Sequence, residues 1–157
     1  MANRADNPGV YIPPPLIYVL TFLAAVYAQK IYRIDDSMFH KRSVKIAGII
    51  FLMIALFFLV RSLRQFIKSK NTLVTIKPSS SLQANGIYSL TRNPMYVGLA
   101  IVYLGISCLI GNWWNIILFP LLLFIVQEYI IKSEEKYLER RFGQVYLDYK
   151  SKVRRWL

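Results

Sequence analysis

Residues 86–98 read GIYSLTRNPMYVG, and this stretch joins a polar, basic loop to an apolar run. Asn93 is a favourable helix cap, because its side-chain oxygen can accept one of the free backbone amides at a helix start. Pro94 fits the first helical position, where no amide donor is needed. The helix start would offer unpaired amides and a partial positive charge, and Arg92 adds a full charge beside it. The pattern therefore suits a carboxylate or a phosphate.

Two aromatic residues, Tyr88 and Tyr96, flank this charge. Either ring could stack on a flat base or lie against a cationic centre. Together with Arg92 they would form a cradle for a small ligand that has an anionic end and a flat ring. The structural alternative is a capped membrane helix with an interfacial Arg and Tyr, and the local pattern leaves both interpretations open.

Glu134 and Glu135 come directly after the last apolar run, in a strongly charged segment. Most such segments are solvated helix faces with ion pairs between residues i and i+4. If the two carboxylates instead face Arg92, the site could bind a zwitterion that also carries hydroxyl groups. The carboxylate of the ligand would then bind the arginine, and its hydroxyls or ammonium would bind a glutamate. S-adenosylmethionine has all of these groups.

The composition is that of a membrane protein: 55% of the 157 residues are apolar, with mean hydropathy +0.38. The apolar residues are clustered in runs, as in membrane spans. A net charge of +12 would suggest nucleic acid as the partner of a soluble protein. Here the basic residues flank apolar runs, so retention on the cytoplasmic face explains them better, and no nucleic-acid partner is expected. The first residues lack the pattern of a cleavable signal peptide.

The chain has one cysteine and one histidine. Cys108 lies inside an apolar run, cannot form an intrachain disulfide and is expected to be a small core residue. Because no second histidine is present, a zinc site is not expected, and His40 is interpreted as a loop residue. The chain contains no Gly-x-Gly-x-x-Gly motif, so a soluble nucleotide-binding fold is not supported.

Four apolar runs are predicted to be helices: residues 16–28, 46–60, 95–110 and the stretch that ends at residue 131. The first is short for a span of about 20 residues, so the alternative is an interfacial helix. The second continues to Lys68 as an amphipathic extension along the bilayer surface. Residues 111–115, with two tryptophans, are predicted to be a tight turn at a membrane interface. Pro120 is predicted to kink the last helix.

Two segments outside the apolar runs have their own patterns. Residues 70–92 form a long loop without acidic residues, and its position before the capped helix favours a functional loop over a disordered one. Past residue 131, apolar residues recur at helical spacing and predict one apolar face along the tail, which Gly143 divides into two helices. These residues are Leu138, Phe142, Val145, Tyr149 and Val153.

The distribution of basic residues sets the expected orientation. With four spans and the N-terminus inside, 15 of the 20 Lys and Arg residues lie on the cytoplasmic side and five lie outside. The predicted fold is therefore an all-α integral membrane protein with about four transmembrane helices and a C-terminal cytoplasmic helical tail. Both termini and the site would face the cytoplasm. Residues 86–96 and 134–143 would then share one face of the bilayer, where the two polar segments can meet.

Two ordered motifs with a membrane hairpin between them complete the pattern. The first is Gly86-x-Tyr88-x3-Arg92-Asn93-Pro94-x-Tyr96-x-Gly98, and the second is Glu134-Glu135-x2-Leu138-x3-Phe142-Gly143-x2-Tyr146-x2-Tyr149. This layout resembles the isoprenylcysteine carboxyl methyltransferase and phospholipid methyltransferase families over about residues 72–155. The resemblance implies a single membrane domain over residues 1–157. Residues 1–70 would form two N-terminal apolar helices, and residues 71–157 a methyltransferase-like core.

The resemblance also implies a reaction, in which a methyl group passes from S-adenosylmethionine to a lipid or lipid-like acceptor from the bilayer. Such an in-line displacement mostly needs positioning and the exclusion of water. Arg92 and Glu135 would take polar roles near the reacting groups. The donor would lie in a cytoplasmic pocket covered by the tail. The residues implied in donor binding are Ser80, Ser81, Leu82, Gln83, Tyr88, Asn93, Pro94, Met95, Tyr96 and Glu134.

Two positions depart from the pattern of these families. Many relatives have His where this chain has Asn93, which cannot titrate, and the eukaryotic carboxyl methyltransferases have Arg where this chain has Ile130. The second departure weakens the case for a prenylcysteine carboxylate as the acceptor, and phosphatidylethanolamine-type N-methylation is the nearest alternative. Further alternatives are an NADPH-dependent membrane sterol reductase, whose C-terminal layout is similar, and a non-catalytic membrane protein.

Overall fold

The computed structural model describes residues 9–10, 12–68 and 82–157, and these ranges contain helices and loops but no β-strand. A π-helical segment, Val126–Ile131, joins the fourth and fifth helices without a break, and short 3₁₀ helices cover Ser37–His40 and Gly86–Ser89. The main helices are α1 (Pro14–Ile31), α2 (Arg42–Lys68), α3 (Pro94–Ile110), α4 (Trp113–Ile125), α5 (Lys132–Phe142) and α6 (Gln144–Lys152).

Three helical stretches of the described chain are long and apolar enough to cross a membrane: Pro14–Ile31, Arg42–Gln65 and Trp113–Phe142. Helix α3 is also apolar but shorter, at 17 residues. The prediction of an all-α integral membrane protein with about four apolar helices is confirmed. Helix α1 is longer than its apolar run suggested, because Pro14 occupies the first turn of the helix, where proline is tolerated.

Helices α2 and α3 form an antiparallel pair with glycines at their contact. A Cβ atom on Gly105 would lie 3.0 Å from the backbone oxygen of Gly48, and one on Gly98 would lie 2.8 Å from the Leu59 side chain. Small residues allow helix backbones to approach closely, which is the usual source of helix association in lipid. This pair therefore fixes the position of the first turn of α3.

Helix α1 runs in the same direction as α3, and α4 returns beside both. At one end the Tyr18 hydroxyl donates to the backbone oxygen of Tyr96 over 3.3 Å, and at the other end Asn112 Nδ2 donates to the backbone oxygen of Ala25 over 3.2 Å. Between these contacts the Phe22 and Tyr103 rings meet edge to face, 5.7 Å apart. The starts of α1 and α3 and the end of α2 therefore lie at one end of the bundle.

The turn between α3 and α4 is shorter than predicted. It consists of Gly111, in the left-handed region with φ of 80°, and Asn112, whose side chain accepts from the backbone N–H of Trp114 over 2.9 Å. Because Asn112 caps the next helix, both tryptophans belong to α4 instead of the turn. Their indole N–H groups bind the loop after α1: Trp113 donates to the backbone oxygen of Asp35 over 3.0 Å, and Trp114 donates to the backbone oxygen of Tyr32 over 2.8 Å.

The last long helix departs from α-helical geometry after Ile125, not at Pro120. Helix α4 continues through Pro120 to Ile125, and the π-helical segment follows. A π-helical turn inserts an extra residue and rotates everything after it, and such turns occur frequently at functional sites. The register of Glu134 and Glu135 is therefore set by Val126–Ile131, a feature that the sequence did not predict.

Gly143, with φ of 53°, divides the tail into α5 and α6 as predicted. Of the five residues of the predicted apolar face, four are buried or half-buried, and the face is interrupted at Val145. Val145 is 65% exposed, whereas Tyr137 and Tyr146 are buried at 2% and 1% exposure. The turn at Gly143 changes the helix direction, so the periodicity of α5 does not carry into α6.

His40 lies in the 3₁₀ helix Ser37–His40 instead of in an irregular loop, and its Nε2 is 3.7 Å from the Asp36 carboxylate. Cys108 is half-buried in α3. Within the described ranges, no three His, Cys, Asp or Glu side chains are grouped so that they could hold a metal ion.

Candidate active site

The two polar segments meet at the end of the bundle where α3 begins. Arg92 NH2 lies 3.0 Å from Glu135 Oε1, and Tyr96 OH donates to Glu134 Oε1 over 2.7 Å. The prediction that the two polar segments can meet is therefore confirmed. Both pairs join the start of α3 to α5, directly after the π-helical segment.

Glu135 lies between two arginines. Arg155 binds it in a bidentate manner, with Nε 2.9 Å from Oε1 and NH2 2.7 Å from Oε2, while Arg92 reaches Oε1 from the other side. The Glu135 side chain is only 7% exposed and the Arg92 side chain 9%. Because both oxygens of Glu135 are engaged, this carboxylate is an anchor for two cations and has little capacity left for a ligand.

Arg92 has two buried N–H groups, at Nε and NH1, that have no hydrogen-bond partner among the described residues. A buried donor without a partner costs free energy, so such groups in a native structure call for a bound group or a solvent molecule. An arginine with two open donors suits a carboxylate or a phosphate, which accepts both at once. Arg92 therefore has donors available to bind an anionic group.

Tyrosines of α6 lie near this arginine, and one of them binds the 3₁₀ helix Gly86–Ser89. Burial raises the pKa of Tyr149 to about 12 even though the Arg92 charge opposes the shift, and burial raises the pKa of Tyr88 as well. Tyr149 donates its hydroxyl proton to the backbone oxygen of Tyr88 over 2.6 Å. Both phenols therefore stay neutral near pH 7, and Tyr149 holds the 3₁₀ helix that carries Tyr88.

Asn93 occupies the predicted capping position, but its side chain does not cap α3. Its Nδ2 donates instead to the backbone oxygen of Arg155 over 2.9 Å, beside the Thr91 hydroxyl, which donates to the same oxygen over 3.0 Å. The predicted capping bond is therefore wrong, because the bond from Nδ2 to the chain end fixes the orientation of the Asn93 amide, and its oxygen does not accept an N–H of α3. That long-range contact could not be read from the local sequence.

Four of the other residues predicted to bind the donor belong to the described part of the chain. Pro94 is buried as the first residue of α3, and Met95 is half-buried beside it. Leu82 and Gln83 are half-buried, and Gln83 Oε1 lies 3.4 Å from Gln65 Nε2 of α2. Ser80 and Ser81 lie outside the described residues.

The chain end contributes residues that the sequence analysis did not assign to the site. Besides Arg155, the chain end supplies Trp156, whose indole N–H donates to Gln127 Oε1 over 3.0 Å. From α1, Tyr18 also reaches the site and donates to the backbone oxygen of Tyr96. The Trp156 side chain packs against both apolar clusters of the described core. The sequence signal was the Arg154-Arg155-Trp156 ending, whose arginines entered the prediction only as cytoplasmic charges.

An apolar groove of about 240 Å³ lies between α1 and α3. Tyr18 is part of its wall and also bonds to Tyr96, so the groove begins beside the polar site. Val19 and Leu23, which are 52% and 57% exposed, form its outer edge. The groove is lined by Pro15, Tyr18, Val19, Phe22, Leu23, Leu99, Val102, Tyr103 and Ile106.

Comparisons with known proteins point to one family. A family model described as phospholipid methyltransferase matches residues 44–145, more than half of the chain. Protein-S-isoprenylcysteine O-methyltransferase of Schizosaccharomyces pombe is 42% identical over 72 residues, which are 46% of this chain and 30% of that protein. The protein of the same name from Saccharomyces cerevisiae is 35% identical over 72 residues, again 46% of this chain and 30% of that protein.

The match to a shorter relative covers the full length of that relative. An uncharacterized protein of Haemophilus influenzae is 41% identical over 66 residues, which are 40% of this chain and 100% of that protein. The match spans less than a third of the length of the two yeast methyltransferases. No solved structure matches the chain.

Proposed function

The chain belongs to the phospholipid methyltransferase family, and we propose that it is an integral-membrane enzyme that transfers a methyl group from S-adenosylmethionine to a lipid-like acceptor. The observation that carries this proposal is the buried Arg92, whose Nε and NH1 have no hydrogen-bond partner among the described residues. Arg92 lies 3.0 Å from Glu135 and directly before α3, whose first turn carries the Tyr96 that binds Glu134. An arginine for an anionic group and a carboxylate for hydroxyls or an ammonium group fit a zwitterionic nucleoside.

These residues suit S-adenosylmethionine, which when bound supplies an activated methyl group on a sulfonium. Glu134 and Tyr96 would bind its polar groups, and Tyr88 with residues 82–83 would enclose it. The donor-site roles of Ser80, Ser81, Asn93, Pro94 and Met95 follow the family resemblance and belong to the same proposal. The protein's contribution is positioning and the exclusion of water, since methyl transfer from a sulfonium is an in-line displacement.

Arg92 and Glu135 take different parts in this proposal. Arg92 would face the reacting groups with its open Nε–H and NH1–H, whereas Glu135, with both oxygens engaged, would hold Arg92 in place. A carboxylate acceptor is already deprotonated and needs no base. An amine acceptor must lose a proton, and Glu134 is then the carboxylate nearest to the site that is not bound to an arginine.

The acceptor is proposed to be a molecule with a hydrocarbon chain that lies in the groove between α1 and α3. The apolar lining of this groove and its contact with the polar site through Tyr18 support a chain whose polar head reaches Arg92. An amine-headed lipid is the second candidate acceptor. Ile130, where the eukaryotic carboxyl methyltransferases have Arg, is completely buried in the core and offers no cation for a carboxylate head.

The active site is proposed to face the cytoplasm, with both termini on that side. The loop between α1 and α2 lies at the opposite end of the bundle from Arg92, and together with the adjoining helix ends it holds five Lys and Arg residues. Most of the remaining basic residues lie at the Arg92 end, as expected for the cytoplasmic side.

Isothermal calorimetry on the detergent-purified chain tests the proposed donor. S-adenosylhomocysteine, the product of the donor, is expected to bind with micromolar affinity, and NADPH is expected not to bind. Labelled S-adenosylmethionine should transfer its methyl group to an extracted lipid or a prenyl thiol. Binding of NADPH without any binding of S-adenosylhomocysteine would instead support a reductase, and the absence of both would leave a non-catalytic membrane protein.

Filling the groove should separate acceptor binding from donor binding. The Val19→Trp variant is expected to raise the acceptor KM about tenfold, because a large ring would occupy the space for the hydrocarbon chain. The affinity for S-adenosylhomocysteine should stay unchanged. Leu121→Trp, at a lipid-facing position of α4 outside the groove that is 53% exposed, is the matched control. Equal acceptor KM values for the two variants would contradict the groove as the acceptor site.

A further inference from the structure

The last residues of the described chain cross the start of α3 and form a C-terminal strap, residues 154–156. The backbone oxygen of Arg154 accepts from the Arg92 N–H over 2.9 Å. The backbone oxygen of Arg155 accepts from both Thr91 and Asn93. The strap therefore binds three consecutive residues that lead into α3, and Arg92 is the middle one.

The side chain of Arg155 turns from the strap to the carboxylate that holds Arg92. Arg155 binds both oxygens of Glu135, and Arg92 contacts this carboxylate through a single pair of atoms, Arg92 NH2 and Glu135 Oε1. A carboxylate beside a single arginine normally binds two of its N–H groups. Without Arg155, Glu135 would be free to rotate and take up the Nε–H or NH1–H of Arg92 as well.

We propose that Arg155 is a positioning residue of this site: it acts through Glu135 to keep the Nε–H and NH1–H groups of Arg92 available for the anionic group of a ligand. This inference rests on the proposed function. The anionic group is a carboxylate or phosphate that belongs either to the methyl donor or to the acceptor. Arg155 itself does not contact the ligand, and its role is to occupy the oxygens of Glu135.

A double-mutant cycle tests whether Arg155 acts on Arg92 through Glu135. The full chain is purified as wild type, Arg155→Met, Glu135→Gln and the double variant, and S-adenosylhomocysteine affinity and acceptor KM are measured for each. Arg155→Met is expected either to lower the affinity for S-adenosylhomocysteine or to raise the acceptor KM, by about 10- to 100-fold, as for the loss of hydrogen bonds to a charged group. Loss of S-adenosylhomocysteine affinity identifies the donor as the source of the anion, and a raised acceptor KM alone identifies the acceptor.

If Arg155 acts through Glu135, the effects of the substitutions at residues 135 and 155 should be strongly non-additive. When residue 135 is Gln, no carboxylate is present to compete for Arg92, so Arg155→Met should add less than about threefold to the effect of Glu135→Gln. Arg155→Lys should give an intermediate effect, because an ammonium group replaces the charge but cannot bind both oxygens in a planar fork. Thermal unfolding of each variant separates these effects from a loss of folding, and Arg155→Lys decides the question if Arg155→Met does not fold.

Lys152→Met is the matched control, because it removes one exposed positive charge from the same end of the chain. Its affinities are expected to match the wild type. The inference is overturned if Arg155→Met behaves like Lys152→Met, or if the effects of the two substitutions at 135 and 155 simply add. In both cases binding of S-adenosylhomocysteine to the wild type would still support the proposed function. A wild type that does not bind it would overturn both proposals together.

Discussion

Replacing Arg92 with methionine is expected to lower kcat/KM by about a thousandfold, the largest loss of any single variant. The substitution removes the two buried N–H groups that have no partner among the described residues, and with them the proposed contact with an anionic group. Removing one preorganised charged donor from a water-excluded site costs about 3–4 kcal/mol of transition-state stabilisation. It also leaves Glu135 with Arg155 as its remaining arginine partner.

Arg92→Lys should recover little of this activity. A lysine keeps the charge but lacks the planar fork that can hold Glu135 on one edge and a ligand on the other. Arg64→Met, at an exposed position of α2 near the same end of the bundle, controls for the loss of a positive charge and should keep wild-type kcat/KM. If Arg92→Met retains more than about a tenth of the wild-type kcat/KM, Arg92 does not face the reacting groups.

The sequence predicted the helices well, because a bilayer leaves the backbone few alternatives. Each span must satisfy its own hydrogen bonds over an apolar run, so the run from Met95 to Ile110 matches α3 to within one residue. Gly143 ended a helix as predicted, since the left-handed conformation at that position favours glycine. The meeting of Arg92 with Glu135 followed from orientation alone, because both segments had to lie at the same end.

What the sequence could not predict were contacts between distant residues. Asn93 has the side chain of a helix cap, but the Arg155 backbone oxygen, 62 residues away in sequence, binds it instead. The π-helical segment Val126–Ile131 has the sequence VQEYII, and nothing in the spacing of its apolar residues indicates the change in register. The local sequence indicates only a cytoplasmic charge at Arg155, because the spacing of residues does not reveal its salt bridge to Glu135.

The contact between Tyr96 and Glu134 leads to the second large prediction. Glu134→Ala is expected to weaken S-adenosylhomocysteine binding by about 100-fold, because a carboxylate that binds hydroxyl or ammonium groups contributes charge-assisted hydrogen bonds. Tyr96→Phe should weaken it by about tenfold, since the Tyr96 hydroxyl donates to Glu134 over 2.7 Å and would hold that carboxylate in its binding orientation. Calorimetry on the purified variants measures both effects.

The pair should behave as a unit in this measurement. If Tyr96 OH acts through Glu134, the double variant Tyr96→Phe/Glu134→Ala should bind S-adenosylhomocysteine about as weakly as Glu134→Ala alone. Tyr27→Phe, which removes a hydroxyl from a position on α1 that is 66% exposed, should leave the affinity unchanged. Wild-type affinity in Glu134→Ala would place the donor elsewhere, because the only acidic side chain left at the start of α5 is Glu135, whose oxygens are already bound by Arg92 and Arg155.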